Sequence, residues 1–100
     1  MLVHIVMMRI EPHFDADTKQ QHLSKLEQML GQLTLSIPEL ESLEVGINRN
    51  TKPAAFDLVL TALFQDEAAL ERYRVHPDHK IVLDYMAEAV SEVAVVDYLK

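Results

Sequence analysis

Cysteine is missing from this chain, which excludes disulfides, thiolate nucleophiles and thiolate metal ligands. Glycine occurs only twice and proline four times, while 49% of the residues are hydrophobic. Few positions therefore interrupt regular structure, and the composition is that of a globular chain rather than a disordered one. Basic residues are scarce as well: nine Lys and Arg face sixteen Asp and Glu, a net charge of −7, with the acidic excess present in both halves. The Lys/Arg stripe that a phosphate backbone requires is absent, so neither nucleic acid nor an anionic membrane surface is an expected partner. No hydrophobic run approaches the ~18 residues of a membrane span. The apolar run Leu2–Met8 is unlike an export signal, because it contains His4, follows no basic region and precedes no small-residue cleavage site. A single domain over residues 1–100 in the cytoplasm is the expectation.

What is present is strong patterning. Leu2–Ile10 is rich in β-branched and large apolar residues and is closed by Glu11-Pro12, so it reads as a strand. One of its faces carries Val3, Ile5, Met7 and Arg9, and the other carries Leu2, His4, Val6, Met8 and Ile10. After Pro12, Asp15 or Asp17 can cap a helix whose apolar stripe is Ala16, Leu23, Leu26, Leu30, Leu33 and Ile37, with Pro38 as the stop. Leu43, Val45 and Ile47 alternate with polar residues as in a half-buried strand. A turn-rich connector, Asn48–Pro53, then joins it to a strand over Ala55–Phe64. Gln65-Asp66-Glu67 opens a helix, Pro77 opens another that runs to about Val90, and Val93–Leu99 closes the chain as a strand. His22 beside the first helical stripe reads as a solvated residue, and Asp57 as a carboxylate paired with a cation or a backbone amide.

The order strand, helix, strand, strand, helix pair, strand predicts an α+β, ferredoxin-like βαββαβ fold with a four-stranded antiparallel sheet and its helices on one face. A sheet covered on one side should alternate cleanly, yet the first, third and fourth strands are apolar on both faces. The uncovered face, roughly 500 Å² from strand spacing and rise, needs a second cover. The expected partner is a second copy: a homodimer through the sheet faces that forms a dimeric α/β barrel.

Chemistry concentrates in Tyr73-Arg74-Val75-His76-Pro77-Asp78-His79, in a chain with five histidines and three tyrosines. With Pro77 as first helical residue, His76 is the cap and His79 lies in the first turn. The positive end of the helix dipole disfavours imidazolium there, so His79 should be neutral near pH 7 and able to accept a proton. A phenol such as Tyr73 can hydrogen-bond a developing enolate oxygen. The same residues have a plain structural reading, in which His76 caps, His79 packs and Tyr73 is core. His4 reads as an interior histidine or as the polar anchor of a ligand. Pro77 separates His76 from His79 along the helix and no third ligand is given, so no metal is expected.

His4-Ile5-Val6, Gly46-Ile47-Asn48, Phe56–Leu60, Phe64–Leu70, Tyr73–His79 and Val95-Val96-Asp97-Tyr98 together resemble the stress-responsive A/B barrel (Dabb) domain over nearly the whole chain. The resemblance implies a dimeric α+β barrel and no single activity. Members include plant stress proteins, many bacterial proteins without an assigned role, and a polyketide cyclase that uses neither metal nor organic cofactor. In that cyclase the working tyrosine and histidine correspond to Tyr73 and His79, with His4 lining the pocket. Two functional readings compete. In the first, the barrel lumen binds a small apolar molecule, with His4 and His76 as ligand contacts. In the second, the chain is a cofactor-free, cyclase-like or isomerase-like enzyme with His79 as base and Tyr73 as hydrogen-bond donor. A third reading gives the motif a purely structural task.

Overall fold

Local signals start the first strand and the three helices where the sequence places them. In the computed structural model, which describes residues 1–100, strand β1 spans Leu2–Ile10. The Asp15 carboxylate then accepts the Thr18 N–H at 2.7 Å and caps helix α1, Ala16–Ser36. Strands β2, Ser42–Ile47, and β3, Leu58–Phe64, come next as an antiparallel pair. The Asp66 side chain accepts the Ala69 N–H at 2.9 Å to cap α2, Glu67–Arg74. Pro77 is the first residue of α3, Pro77–Ala89, and β4, Val90–Leu99, continues from it without a loop.

The sheet order is β2-β3-β1-β4, antiparallel throughout, which is the ferredoxin-like βαββαβ topology with three helices. Register decides the faces. His4 lies opposite Ala62 on β3 and Asp97 on β4, so Leu2, His4, Val6 and Met8 share a face with Leu58, Leu60, Ala62 and Phe64. That is the helix-covered face, and its residues interlock with Leu23, Leu26, Leu30 and Leu33 of α1 and with Leu70 and Tyr73 of α2 in one core. α3 contributes less, burying only Val82 and Ala89. No residue of β4 is fully buried, and beyond the half-buried Val90 its valines are exposed on both faces: Val93 and Val95 towards the helices, Val96 on the opposite side. Beside Val96, that helix-free face exposes Met7, Val59 and Tyr98.

Two boundaries differ from the sequence reading. β3 begins at Leu58 rather than Ala55, because the Ala55 N–H closes a turn on the Lys52 carbonyl and a side chain takes the carbonyls of Pro53 and Ala55; of this stretch only Asp57 bonds main chain to both neighbours, Met8 and Asn48. Arg9 Nη1 donates to the carbonyls of Pro53 at 3.2 Å and Ala55 at 3.0 Å, and its guanidinium lies over the Phe56 ring at 4.4 Å. Asp57 accepts the Ile10 N–H at 2.8 Å and pairs with Lys19 at 2.8 Å, so it has both partners expected of it. β4 starts at Val90 rather than Val93, and a bulge between Arg9 and Ile10 lets β1 follow it to the helix end.

Candidate ligand-binding crevice

The thin contact between α3 and the β4 edge leaves a crevice of about 300 Å³. Its apolar walls are Val6, Met8 and Leu60 of the sheet, Val93 and Val95 of β4, and Leu30, Val82, Leu83 and Met86 of the helices. Its polar groups are His4, Tyr73, Arg74 and His79. Three of the four candidate residues, His4, Tyr73 and His79, are thus brought together on one cavity. His76 is not on its wall. It is the N-cap of α3, with Nδ1 accepting the Asp78 N–H at 3.1 Å. A larger, more polar groove of about 630 Å³ at the Ile10 end of β1 holds none of the four candidates.

The placement corrects one expectation. A lumen enclosed by two facing sheets would be lined by the helix-free face, whereas His4, Tyr73 and His79 lie on the helix-covered one. The two faces of β1 are similarly apolar, so the strand pattern could not tell which of them α1 and α2 cover.

Tyr73 is 1% exposed, and its hydroxyl finds no hydrogen-bond partner in the protein. Burial pushes its pKa up to about 12, which makes it a donor and never a base at neutral pH. Its ring lies 4.3 Å from that of His79 and 5.0 Å from that of Phe64. His79 Nδ1 is 3.1 Å from the Arg74 carbonyl. A carbonyl only accepts, so Nδ1 carries the proton and Nε2 of the neutral ring keeps its lone pair. Burial lowers the His79 pKa from its ordinary value of 6.5. The charges of His4, Arg74 and His76 act in the same direction, against the Arg74 carbonyl bond. The direction matches the sequence reading, but the main cause is desolvation rather than the helix dipole.

His4 is 8% exposed and is the one buried polar residue of the chain. Its Nδ1 meets Asp97 Oδ1 at 2.5 Å, and the other oxygen of Asp97 lies 3.5 Å from Arg74 Nη2. Asp97 does not line the crevice but holds two residues that do, and the sequence reading gave it no role. Nothing local marks it; only the antiparallel register of the first strand with the last sets it opposite His4. His22, read as solvated, is half-buried with Nδ1 on the Tyr85 hydroxyl and its ring against Phe14. That pair ties α1 to α3, the outer wall of the crevice.

The model of the stress responsive A/B barrel domain, Dabb, matches residues 2–99. The chain belongs to this family. Among solved structures, a dimeric ferredoxin-like protein of unknown function from Bacteroides fragilis is similar, with a TM-score of 0.92 at 23% identity over 99% of this chain and 95% of that one. A dimeric ferredoxin-like protein of unknown function from Thermobifida fusca aligns with a TM-score of 0.83 at 22% identity, over 99% of this chain and 90% of its own. Hydroxynitrile lyase from Passiflora edulis also aligns at 0.83, with 16% identity over 99% and 92% of the two chains. These likenesses show the fold. Comparison with curated proteins finds no match. No helix is long and apolar enough to cross a membrane.

Proposed function

We propose that this family member pairs with a second copy of itself through its helix-free sheet face, and that the crevice of each protomer binds a small, mostly apolar molecule with a hydrogen-bonding head. The observation that carries the binding reading is the Tyr73 hydroxyl, buried at an apolar cavity, without a protein partner and flanked by two histidines. Native proteins satisfy their buried polar groups, and an exception beside a cavity points to a ligand as the missing partner. The volume lies at the small end of small-molecule sites. Native mass spectrometry of the purified protein tests this: a co-purified small molecule lost in Tyr73→Phe supports it, and a crevice that takes up no apolar probe refutes it.

The pairing reading rests on Met7, Val59, Val96 and Tyr98, apolar or aromatic side chains exposed together on one sheet face. Two similar structures are themselves dimeric. Sedimentation at low micromolar concentration should give a dimer; a monomer overturns it.

One further observation favours a catalytic use of the same crevice. The free Nε2 of a neutral His79, next to the donor hydroxyl of Tyr73, is the pair that cofactor-free proton transfer alpha to a carbonyl requires. His79 would take the proton and Tyr73 would hydrogen-bond the enolate oxygen that forms. A turnover assay over ketones and polyketide mimics decides it: activity unchanged in His79→Ala means His79 is not the base.

A further inference from the structure

The binding reading extends to a ligand class, which rests on that reading and stands only if the crevice binds. Arg74 is the one permanent cation on the crevice wall. No Asp or Glu lines that wall, although the chain holds sixteen of them. Two polar groups on the wall have donors to spare, the Arg74 guanidinium and the Tyr73 hydroxyl, while His4 and His79 turn Nδ1 to Asp97 and to the Arg74 carbonyl. The Arg74 side chain is 49% exposed, and its guanidinium is held by one acidic contact, Nη2 to Asp97 at 3.5 Å. A guanidinium has five N–H donors in a fork that matches a carboxylate, so most of its capacity is unspent.

Arg74 also lines a second groove, of about 430 Å³, on the outer side, where Glu67, Glu71 and Asp97 are its neighbours. Arg74 therefore belongs both to a groove lined by carboxylates and to a crevice lined by none. Its main-chain carbonyl, through His79 Nδ1, holds the other polar end of the same crevice.

We propose that the crevice selects amphipathic carboxylates, with the hydrocarbon body against Val82, Met86, Val93 and Val95 and the carboxylate on the Arg74 guanidinium. The net charge of −7 sets the opposite default, since the field of the whole chain repels anions. A preference for an acid over its neutral analogue has to come from a local cation.

The test compares octanoate with octanol, both below aggregation, by calorimetric titration of the intact protein at pH 7.5. Octanoate should bind about tenfold more tightly than octanol, with the advantage shrinking as salt is raised. Arg74→Gln keeps the main-chain bond to His79 and should bring the ratio to about one; Arg74→Lys, a point charge without the fork, should fall between. Equal binding of the two probes by the wild type overturns the carboxylate class and leaves the crevice standing. Binding of neither overturns the crevice reading and the class with it.

Discussion

Replacing Tyr73 with phenylalanine removes a single oxygen, and the structure gives that change an unusual sign. The ring stays packed, 4.3 Å from His79 and 5.0 Å from Phe64. The lost hydroxyl is buried and has no protein partner, and keeping such a group out of water costs about 1–3 kcal/mol. Tyr73→Phe should therefore be neutral to stabilising, by up to about 2 kcal/mol, in the ligand-free protein. For a domain of this size each kcal/mol shifts Tm by roughly 4–8 °C. Tyr85 supplies the control: its hydroxyl pairs with His22, so Tyr85→Phe should lose about 1 kcal/mol. Thermal unfolding followed by circular dichroism, at one fixed protein concentration because a dimer's midpoint depends on it, reads both. The same Tyr73→Phe protein should bind apolar probes more weakly. If it melts as far below the wild type as Tyr85→Phe does, the hydroxyl has a partner in the free protein and the reasoning fails.

Asp97→Asn removes the charge shared by His4 and Arg74; a loss of about 1–2 kcal/mol in urea unfolding is expected, and an unchanged midpoint would mean that the pair contributes nothing. The His79 pKa is lowered by burial from 6.5, so on acidification the unfolded chain takes up its proton first. Stability is lost as pH falls below about 6.5, levelling once both states are protonated. His79→Gln should then lose less stability than the wild type between pH 7.5 and 5.5; equal slopes would refute the assignment. Val96→Asp places a charge on the helix-free face, where Val96 is 55% exposed. It should leave the protomer folded and shift sedimentation from dimer to monomer, and an intact dimer would move the interface elsewhere.

Signals within a few residues were legible in the sequence. Asp15, one of the two caps offered, His76 as a cap, Pro77 as a helix start, and the stripe Leu23–Leu33 each derive from a few turns of chain at most, and the structure places them so. Relations across the sheet were not legible. His4 and Asp97 meet only because β1 pairs with β4, and no periodicity within either strand encodes that register. The covered face of β1 was hidden for a related reason: Val3, Ile5 and Met7 are as apolar as Leu2, Val6 and Met8. The crevice itself arises from a deficit, because α3 buries little beyond Val82 and Ala89, and a sequence shows which residues are apolar but not how closely they close. Arg9 likewise takes the Pro53 and Ala55 carbonyls ahead of β3 through contacts that no local window contains.

The claim that the crevice between the sheet and α3 is the working site is met most directly by a nuclear magnetic resonance titration with octanoate, tracking the methyl and imidazole signals. Saturable shifts confined to His4, His79, Val82, Met86, Val93 and Val95 are the predicted result. Shifts on Met7, Val59 and Val96 of the opposite face, with the crevice signals unmoved, would contradict it.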